Sequence, residues 1–325
     1  MKLSLHTERW AAKQPFRIAG HVYDAFDSLV AELSKDGAIG RGEALGVDYL
    51  GESVDGLLVQ AGSLADQLCD GLNRVSLQGM LPAGGARNAL DCALWDLEAK
   101  RSGRRIWELA GLEPRPLETF YTIGIEATPE EMASKAAAAT NHRLLKIKLD
   151  SSGPLERMQA IRDARPDARM IVDANQGWTL KTLREIAPAM SQLGVEMIEQ
   201  PLPRGQDAEL EDFRSPVLLC ADESCLHLGE LEQASSRYQV INVKLDKTGG
   251  LTHALELARA ARARGLGLMV GSMAGSSLAM APAVALGWLC DMADVDGPLL
   301  QRWDRQPGLV YEKGVVAVFG PDVWG

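Results

Sequence analysis

The sequence predicts a parallel α/β barrel that follows a smaller α+β domain. Short apolar runs, typical of buried parallel strands, recur at a spacing of about 25 residues in the second part of the chain. Their centres lie near residues 121, 147, 171, 197, 219, 242, 269 and 293. Helical patterns occupy the stretches between these runs. Eight strands that alternate with about seven helices are typical of a closed barrel in which all strands are parallel.

The N-terminal part of the chain has a different pattern, in which strands precede two helices. Apolar and polar side chains alternate over residues 27–33, and Asp36-Gly37 is a typical hairpin turn. The stretch from Gln14 to Asp24 contains a proline and a glycine and is predicted to be a loop. Amphipathic helices are predicted over residues 51–68 and 86–101.

The change between the two patterns defines the domains. Pro114 and Pro116 stand at the change. After the eighth predicted strand, a tail rich in Gly, Pro and Trp carries another hairpin, and we expect this tail to return to the first domain. The predicted organisation is an α+β domain over residues 1–115, a barrel over residues 116–298 and a C-terminal tail over residues 299–325.

The composition excludes several classes of partner. A formal net charge of −10 at pH 7 and the lack of a basic cluster argue against nucleic acid. The N-terminus has no apolar segment of signal-peptide length, and the five cysteines show no CxxC spacing, so we predict a cytoplasmic protein. The uncharged stretch from Gly265 to Cys290 contains five glycines and a proline, which favours a buried strand and helix over a membrane span.

Two lysines stand in a strand that should be buried. The run from Leu144 to Leu149 is short and apolar, yet it contains Lys146 and Lys148. Because side chains alternate along a strand, both ammonium groups point to the same face, about 7 Å apart. Two like charges there require anions nearby. We expect a lowered pKa for at least one of these lysines, which suits a general base.

Carboxylates end the next three predicted strands. Asp173, Glu199 and Asp222 occupy the same relative place in consecutive strand–helix units, and Lys244 ends the strand after them. The active site of a parallel barrel lies at the carboxyl ends of its strands, so these side chains should converge. Three carboxylates are enough to hold a hard divalent cation. Taken singly, Asp173 could instead cap a helix, and Glu199 could be a loop acid.

A cation placed between lysines indicates proton transfer at the α-carbon of a carboxylic acid. The cation can bind the substrate carboxylate and stabilise the dianion formed when the α-proton leaves. Lys148 and Lys244 come from strands on opposite sides of the three carboxylate strands. One lysine could therefore remove a proton while the other returns one from the opposite face. Lys146 would neutralise the substrate carboxylate. Asp246 could orient Lys244 or be an ordinary solvated aspartate.

Five motifs, taken in order, resemble those of a known family. They are Lys146-x-Lys148, Asp173-x-Asn175, Glu199-Gln200-Pro201, Ala221-Asp222-Glu223-Ser224 and the run from Asn242 to Gly250. In order and spacing they are similar to the enolase superfamily, muconate-lactonizing-enzyme subgroup, and the resemblance covers nearly the whole chain. It implies an N-terminal capping domain over a modified TIM barrel of the (β/α)7β type. It also implies one Mg²⁺ held by Asp173, Glu199 and Asp222.

Residues at the end of the eighth predicted strand distinguish between members of this subgroup that catalyse different reactions. Asp294 and Asp296 precede Gly297-Pro298. The pattern is similar to that of L-Ala-D/L-Glu epimerases, in which these acids hold the α-amino group of a dipeptide. Thr122 and Ser272 match substrate-contacting positions of the same enzymes. As an alternative, Asp294 and Asp296 could be a simple turn pair.

The resemblance therefore implies a cytoplasmic, Mg²⁺-dependent dipeptide epimerase that acts on L-Ala-D/L-Glu or a close relative in murein peptide recycling. Its partner would be a small-molecule dipeptide, and assembly into a homo-oligomer is compatible with this reading. One departure concerns the second residue of the substrate, because Gly20 and His21 replace the arginine usual in the first-domain loop. One alternative is an N-succinylamino acid racemase or o-succinylbenzoate synthase, which has no need for Asp294 and Asp296. The other is a catalytically silent barrel with a structural or binding role.

Overall fold

The computed structural model describes residues 1–325. Its N-terminal part is a three-stranded antiparallel sheet in the order β1-β2-β3, with helices packed against it. The strands are β1 (Lys2–Ile18), β2 (His21–Lys35) and β3 (Ala38–Ala44). After a 3₁₀ turn at Asp48–Leu50, the helices are α1 (Val54–Gly62), α2 (Ala65–Cys69), α3 (Arg74–Leu77), α4 (Gly85–Ser102) and α5 (Ile106–Ala110).

Glycines allow α4 to lie directly on this sheet. Gly40 and Gly42 of β3 face the backbone of the helix, and a Cβ on Gly42 would collide with the carbonyl oxygen of Ala89. Apolar side chains of α4 share one buried cluster with those of β2. The helix predicted over residues 86–101 is confirmed with boundaries one residue wider at each end.

One prediction for the N-terminal part is wrong. Residues 14–24 are not a loop, because β1 and β2 continue through most of them and Ile18 pairs with His21. The tip of this long hairpin also contacts the barrel, since Arg17 O accepts a hydrogen bond from Ile125 N at 2.9 Å. The strand pattern at the tip therefore depends on support from a distant part of the chain.

A second sheet contains eight parallel strands and forms the barrel. Neighbouring strands follow one another in chain order, and a hydrogen bond from Phe120 N to Ala293 O at 2.8 Å joins the two ends. The predicted fold class is confirmed. After the short strand β4 (Leu117–Glu118), the barrel strands are β5 (Tyr121–Ile123), β6 (Leu144–Lys148), β7 (Arg169–Asp173), β8 (Val195–Glu199), β9 (Leu218–Ala221), β10 (Val240–Lys244), β11 (Gly267–Gly271) and β12 (Met292–Ala293).

Helices follow most of the barrel strands. They are α6 (Pro129–Ala138), α7 (Pro154–Ala164), α8 (Leu180–Gln192), α9 (Leu231–Arg237), α10 (Leu245–Thr248), α11 (Leu251–Ala263), α12 (Ser277–Gly287) and α13 (Gly297–Leu300), with a 3₁₀ turn at Leu228–Glu230. The gap between β8 and β9 departs from the predicted alternation, because it holds only a 3₁₀ turn at Ala208–Glu211. Pro201, Pro203 and Pro216 lie in that gap, and proline interrupts helices. The helix predicted over residues 51–68 is likewise divided, into α1 and α2. No helix is both long and apolar enough to span a membrane.

Apolar side chains close the floor of the barrel. Each strand, or the residue just before it, contributes one member to this cluster: Phe120, Leu144, Ile171, Met197, Cys220, Val240, Met269 and Met292. Because side chains alternate along a strand, the residue two positions further on faces the interior again, nearer the carboxyl ends. The floor therefore determines which residues form the next layer.

The C-terminal tail packs against both parts of the molecule. Its strands β13 (Tyr311–Glu312) and β14 (Val315–Val316) pair with each other, and β14 also pairs with β4. Beyond this hairpin, Trp324 Nε1 donates a hydrogen bond to Arg41 O at 3.0 Å. The end of the chain thus lies on β3 of the first domain.

Candidate active site

Polar side chains form the layer directly above the apolar floor. Two residues beyond each floor position lie Thr122, Lys146, Asp173, Glu199, Asp222, Asn242, Gly271 and Asp294. The single glycine leaves space for its neighbour, because a Cβ on Gly271 would lie 2.7 Å from Asn242 Oδ1. Lys148, Lys244 and Asp296 lie two residues further along the chain. The alternation of faces thus brings nine of the ten predicted site residues into the barrel mouth. The tenth, Ser272, lines the cavity that lies over the barrel mouth.

Lys146 lies at the centre of the layer and is 1% exposed. Its Nζ is 3.1 Å from Asp173 Oδ2, 2.8 Å from Glu199 Oε2 and 2.8 Å from Asp294 Oδ2. Burial alone would lower the pKa of Lys146, but the three carboxylates outweigh burial and raise that pKa well above its ordinary value. Lys146 is therefore not a lysine with the lowered pKa expected for at least one of the pair, since the carboxylates favour its charged form.

The two lysines nearer the barrel mouth pair with different carboxylates. Lys148 Nζ donates to Asp173 Oδ2 at 2.6 Å and to Asn175 Oδ1 at 3.1 Å. Lys244 Nζ lies 2.6 Å from Asp222 Oδ2. Burial opposes the charge of Lys244, but Asp222 outweighs burial and the pKa of Lys244 is raised. The strand order places these two lysines at opposite ends of a row of carboxylate strands.

Neighbouring groups orient two of the carboxylates. Asn242 Nδ2 donates to Glu199 Oε1 at 2.7 Å, and Lys247 Nζ donates to Asp222 Oδ1 at 2.7 Å. The sequence reading did not assign either residue to the site. For Asn242 a signal exists, because it lies two residues before Lys244 and faces the same side of β10. Lys247 reaches the site from the helical turn α10, to which the strand alternation does not extend.

The carboxylate layer has the donor chemistry of a site for a hard cation. Glu199 Oε2 and Asp222 Oδ2 are buried and accept no hydrogen bond, although each is in ionic contact with a lysine. Burial, and then the charge of Asp173, raise the pKa of Glu199 to about 7. As the side chains are arranged, no three acidic groups form a cluster that could hold a metal ion, because Asp173 and Glu199 contact Lys146 and Asp222 contacts Lys244. The three carboxylates therefore fit a hard divalent cation by donor type and burial.

Asp294 and Asp296 form another group of acidic side chains beside β5, called here the acidic pole. Asp296 Oδ2 accepts a hydrogen bond from Thr122 N at 2.7 Å, and Asp294 Oδ1 accepts one from Thr122 Oγ1 at 3.3 Å. Ser272 Oγ donates to Asp294 O at 3.4 Å. Both acids are buried, and the Asp296 side chain does not cap the helix that follows it, so they are not a solvated turn pair. Burial, and then the charge of Asp294, raise the pKa of Asp296 to about 7.

A cavity of about 860 Å³ lies over these side chains and is lined by both domains. The first domain contributes the tip of the β1–β2 hairpin and residues 45–54. His21 and Val22 line the cavity at the tip of the hairpin, whereas Arg17, which pairs with Val22, does not. Arg9 lines the cavity from a part of β1 further from the tip. The tip therefore presents a histidine, and no arginine, to the cavity.

The structure excludes one of the two roles considered for Asp246 from the sequence. Asp246 is 7% exposed, so it is not a solvated aspartate. Its Oδ1 accepts hydrogen bonds from Leu45 N at 3.1 Å and from Gly46 N at 2.8 Å. The carboxylate thus contacts the first domain rather than the ammonium group of Lys244.

Comparisons with known proteins agree with this architecture. Residues 1–111 match the family described as mandelate racemase / muconate lactonizing enzyme, N-terminal domain, and residues 130–320 match the family described as enolase C-terminal domain-like. The chain is 44% identical over 310 residues to the L-Ala-D/L-Glu epimerase of Escherichia coli (strain K12), covering 94% of this chain and 96% of that protein. It is 46% identical over 245 residues to the N-acetyl-D-glutamate racemase of Pseudoalteromonas sp, covering 75% and 78%.

Solved structures are similar over nearly the whole chain. An enolase family member from Agrobacterium tumefaciens with homology to dipeptide epimerases has bound sodium and L-Ala-L-Glu. It is 43% identical, with a TM-score of 0.97 and 99% of each chain covered. The dipeptide epimerase of Enterococcus faecalis V583, complexed with Mg and L-Leu-L-Tyr, is 25% identical, with a TM-score of 0.90 and 98% and 96% of the two chains covered.

Proposed function

The chain belongs to the enolase superfamily and is an isomerase, and on that basis we propose that it is a dipeptide epimerase. The reaction inverts the α-carbon of the C-terminal residue of a dipeptide such as L-Ala-L-Glu. One observation carries the proposal, namely the buried acidic pole of Asp294 and Asp296 beside Thr122. Buried carboxylates call for a cationic partner, and a dipeptide supplies an ammonium group.

The substrate lies between two poles of opposite charge. Lys146 meets the substrate carboxylate, while Asp294 and Asp296 meet the ammonium group one residue away. An extended dipeptide separates these two groups by about 7 Å, so Lys146 and Asp294, which lie 2.8 Å apart in this structure, move apart when one molecule binds both poles. On binding, the contact between Lys146 and Asp294 is replaced by two contacts with substrate, so neither charge is left without a partner.

The carboxylates of Asp173, Glu199 and Asp222 hold the cation, for which Mg²⁺ is the hard divalent ion that the donor set suits. When bound, the cation supplies Lewis-acid stabilisation of negative charge on the substrate carboxylate. Asn242 and Lys247 keep one oxygen of Glu199 and one of Asp222 in place. The complex of a relative with Mg and a dipeptide supports this choice of ion.

Lys148 and Lys244 move the proton. The lysine that faces the α-hydrogen is neutral and takes the proton, while the electron pair of the C–H bond stays with the substrate. The lysine on the opposite face is an ammonium group and returns a proton to the same carbon, which inverts the centre. In the reverse direction the two lysines exchange roles. Asp173 and Asn175 orient Lys148.

An N-acylamino acid racemase is a second candidate, favoured by the 46% identity to an N-acetyl-D-glutamate racemase. Such a reaction would use the same lysines and the same cation. Its substrate carries a neutral amide where a dipeptide has an ammonium group, and it would leave Asp294 and Asp296 without a cationic partner. The acidic pole therefore discriminates between the two functions.

Hydrogen exchange tests the proposal directly. The protein with Mg²⁺ is incubated in heavy water with L-Ala-L-Glu, N-acetyl-L-Glu or N-succinyl-L-Glu, and loss of the α-proton signal is followed by NMR. We expect the dipeptide to exchange fastest and its other epimer to appear. Faster exchange from an N-acylated substrate would favour the racemase, and no exchange from any of the three would contradict both functions.

We extend the proposal to the organisation and setting of the enzyme. The division into residues 1–115, 116–298 and 299–325 is supported by the change from an antiparallel to a parallel sheet and by the pairing of β14 with β4. A cytoplasmic location is supported by the five free cysteines, and a role in murein peptide recycling by the similarity to an L-Ala-D/L-Glu epimerase. Cell fractionation with an antibody to the protein tests the location.

A further inference from the structure

The turn that follows Lys244 is fixed to the first domain at two places. On one side, Asp246 Oδ1 accepts hydrogen bonds from the backbone of Leu45 and Gly46, at 3.1 and 2.8 Å. These residues lie 201 and 200 positions away along the chain. Asp246 is only two residues from Lys244, and both are buried. A change in the position of Asp246 is therefore transmitted to Lys244 through a very short length of backbone.

On the other side, helix α4 holds the end of the same turn. Arg87 donates to Thr248 O at 2.7 Å and to Gly249 O at 3.1 Å. Asp91 Oδ2 accepts a hydrogen bond from Thr252 N at 3.0 Å. These contacts fix the C-terminal end of the turn. Near the N-terminal end, next to Lys244, the contact with the first domain is made by Asp246.

The segment that receives Asp246 also forms a wall of the substrate cavity. Its cavity-lining members are Leu45, Gly46, Asp48, Tyr49, Glu52, Ser53 and Val54. One carboxylate therefore joins the turn of Lys244 to the wall that the substrate faces. Lys148 has no such connection, because it stands on β6 and its hydrogen bonds go to Asp173 and Asn175.

We propose that Asp246 is a positioning residue for Lys244, and that it acts by docking the turn of Lys244 onto Leu45 and Gly46 of the first domain. This inference rests on the proposed function, in which Lys244 serves only one face of the substrate. Loss of the contact should therefore impair proton transfer on that face and spare transfer by Lys148. A general loss of stability would impair both faces alike.

The test measures α-proton exchange in heavy water from L-Ala-L-Glu and from L-Ala-D-Glu separately. Lys244→Ala first identifies the epimer whose exchange depends on Lys244. For that epimer we expect Asp246→Ala to slow exchange on the order of ten- to a hundredfold, the usual effect of misplacing a catalytic group by about 1 Å. For the other epimer we expect a change of less than about threefold.

Two further variants separate position from charge. Asp246→Asn keeps an oxygen acceptor for both backbone N–H groups, so we expect exchange from both epimers to stay near wild type. Asp246→Glu keeps the charge but lengthens the side chain, and we expect the same one-sided loss as for Asp246→Ala. The Glu variant also provides the test if Asp246→Ala does not fold.

Asp96→Ala is the matched control. Asp96 is a buried acid of the first domain, and it accepts hydrogen bonds from Arg41 N at 2.8 Å and from Gly325 N at 2.7 Å. Its removal loosens the first domain without changing the contact of Asp246 with Leu45 and Gly46, so both epimers should be affected alike. Equal slowing of both epimers by Asp246→Ala and Asp246→Glu would overturn the inference while leaving the proposed function intact. Failure of the wild type to exchange either epimer would instead overturn the proposed function, and the inference with it.

Discussion

Lys146 Nζ lies 2.8 Å from Asp294 Oδ2, and this ion pair joins the second strand of the barrel to the end of the eighth. The two residues are proposed to bind opposite ends of the substrate. A dipeptide can replace their contact with two new ion pairs. A substrate without an ammonium group would draw Lys146 away and leave the buried carboxylate of Asp294 without a new cationic partner. The pair therefore favours a substrate that carries both charges.

Removal of the proposed divalent cation should abolish turnover. Without it, the charge that develops on the substrate carboxylate loses its Lewis-acid stabilisation. We expect chelation to stop α-proton exchange, Mg²⁺ to restore it, and metal analysis to give one ion per chain. Asp222→Asn should lose the ion, whereas Glu196→Gln, which changes an acid at the surface on β8, should keep it. Full activity of the metal-free protein would contradict the assignment.

The sequence predicts most of this site because one rule, the alternation of faces along a strand, places the residues. Once the strands are located, the side chains two and four residues beyond the floor follow, as with Lys146 and Lys148. The rule does not predict the position of Lys247, since its ammonium group enters the site from a helical turn. It does not predict the contacts of Asp246 either, because they depend on how the two domains pack. The raised pKa of Lys146 could not be predicted in this way, because the density of carboxylates around it depends on closure of the barrel.

The two lysines should serve opposite epimers. If Lys148 and Lys244 face opposite sides of the α-carbon, Lys148→Ala should stop exchange from one epimer and retain part of the exchange from the other. Lys244→Ala should show the reverse pattern. The measurement is the rate of α-proton loss in heavy water, starting from each pure epimer. Equal loss from both epimers in both variants would count against a two-base arrangement.

Asp91 should make the stability of the protein depend on pH. Burial raises the pKa of Asp91 to about 6, above the value of about 3.9 in an unfolded chain. The folded state therefore holds its proton more tightly, and the contribution of Asp91 to the free energy of unfolding decreases as pH rises through about 4 to 6. From pH 5 to pH 8 we expect a decrease of roughly 1 to 1.5 kcal/mol from this group.

Urea unfolding of wild type and Asp91→Asn at these two pH values measures that contribution. The difference in stability between the two proteins should shift in favour of the variant at pH 8, because the variant cannot ionise. Asp66→Asn is the control, since it changes an exposed acid in the same domain. A difference that stays constant with pH would show that Asp91 ionises in the folded state as it does in an unfolded chain.

Asp296→Asn should distinguish between the two proposed substrate classes. Asparagine can still accept the hydrogen bond from Thr122 N, which Asp296 accepts at 2.7 Å, but it carries no charge for the ammonium group of a dipeptide. Loss of one partner from a buried charged pair costs roughly 2–5 kcal/mol. At about 1.36 kcal/mol per tenfold, kcat/KM for L-Ala-L-Glu should fall about 30-fold to several thousandfold. Activity on N-succinyl-L-Glu should be unchanged or improved, because that substrate has no ammonium group to lose. If the wild type prefers the N-succinyl substrate, or if the substitution changes kcat/KM for both substrates alike, the proposal of a dipeptide epimerase is wrong. The N-acylamino acid racemase then replaces it as the proposed function.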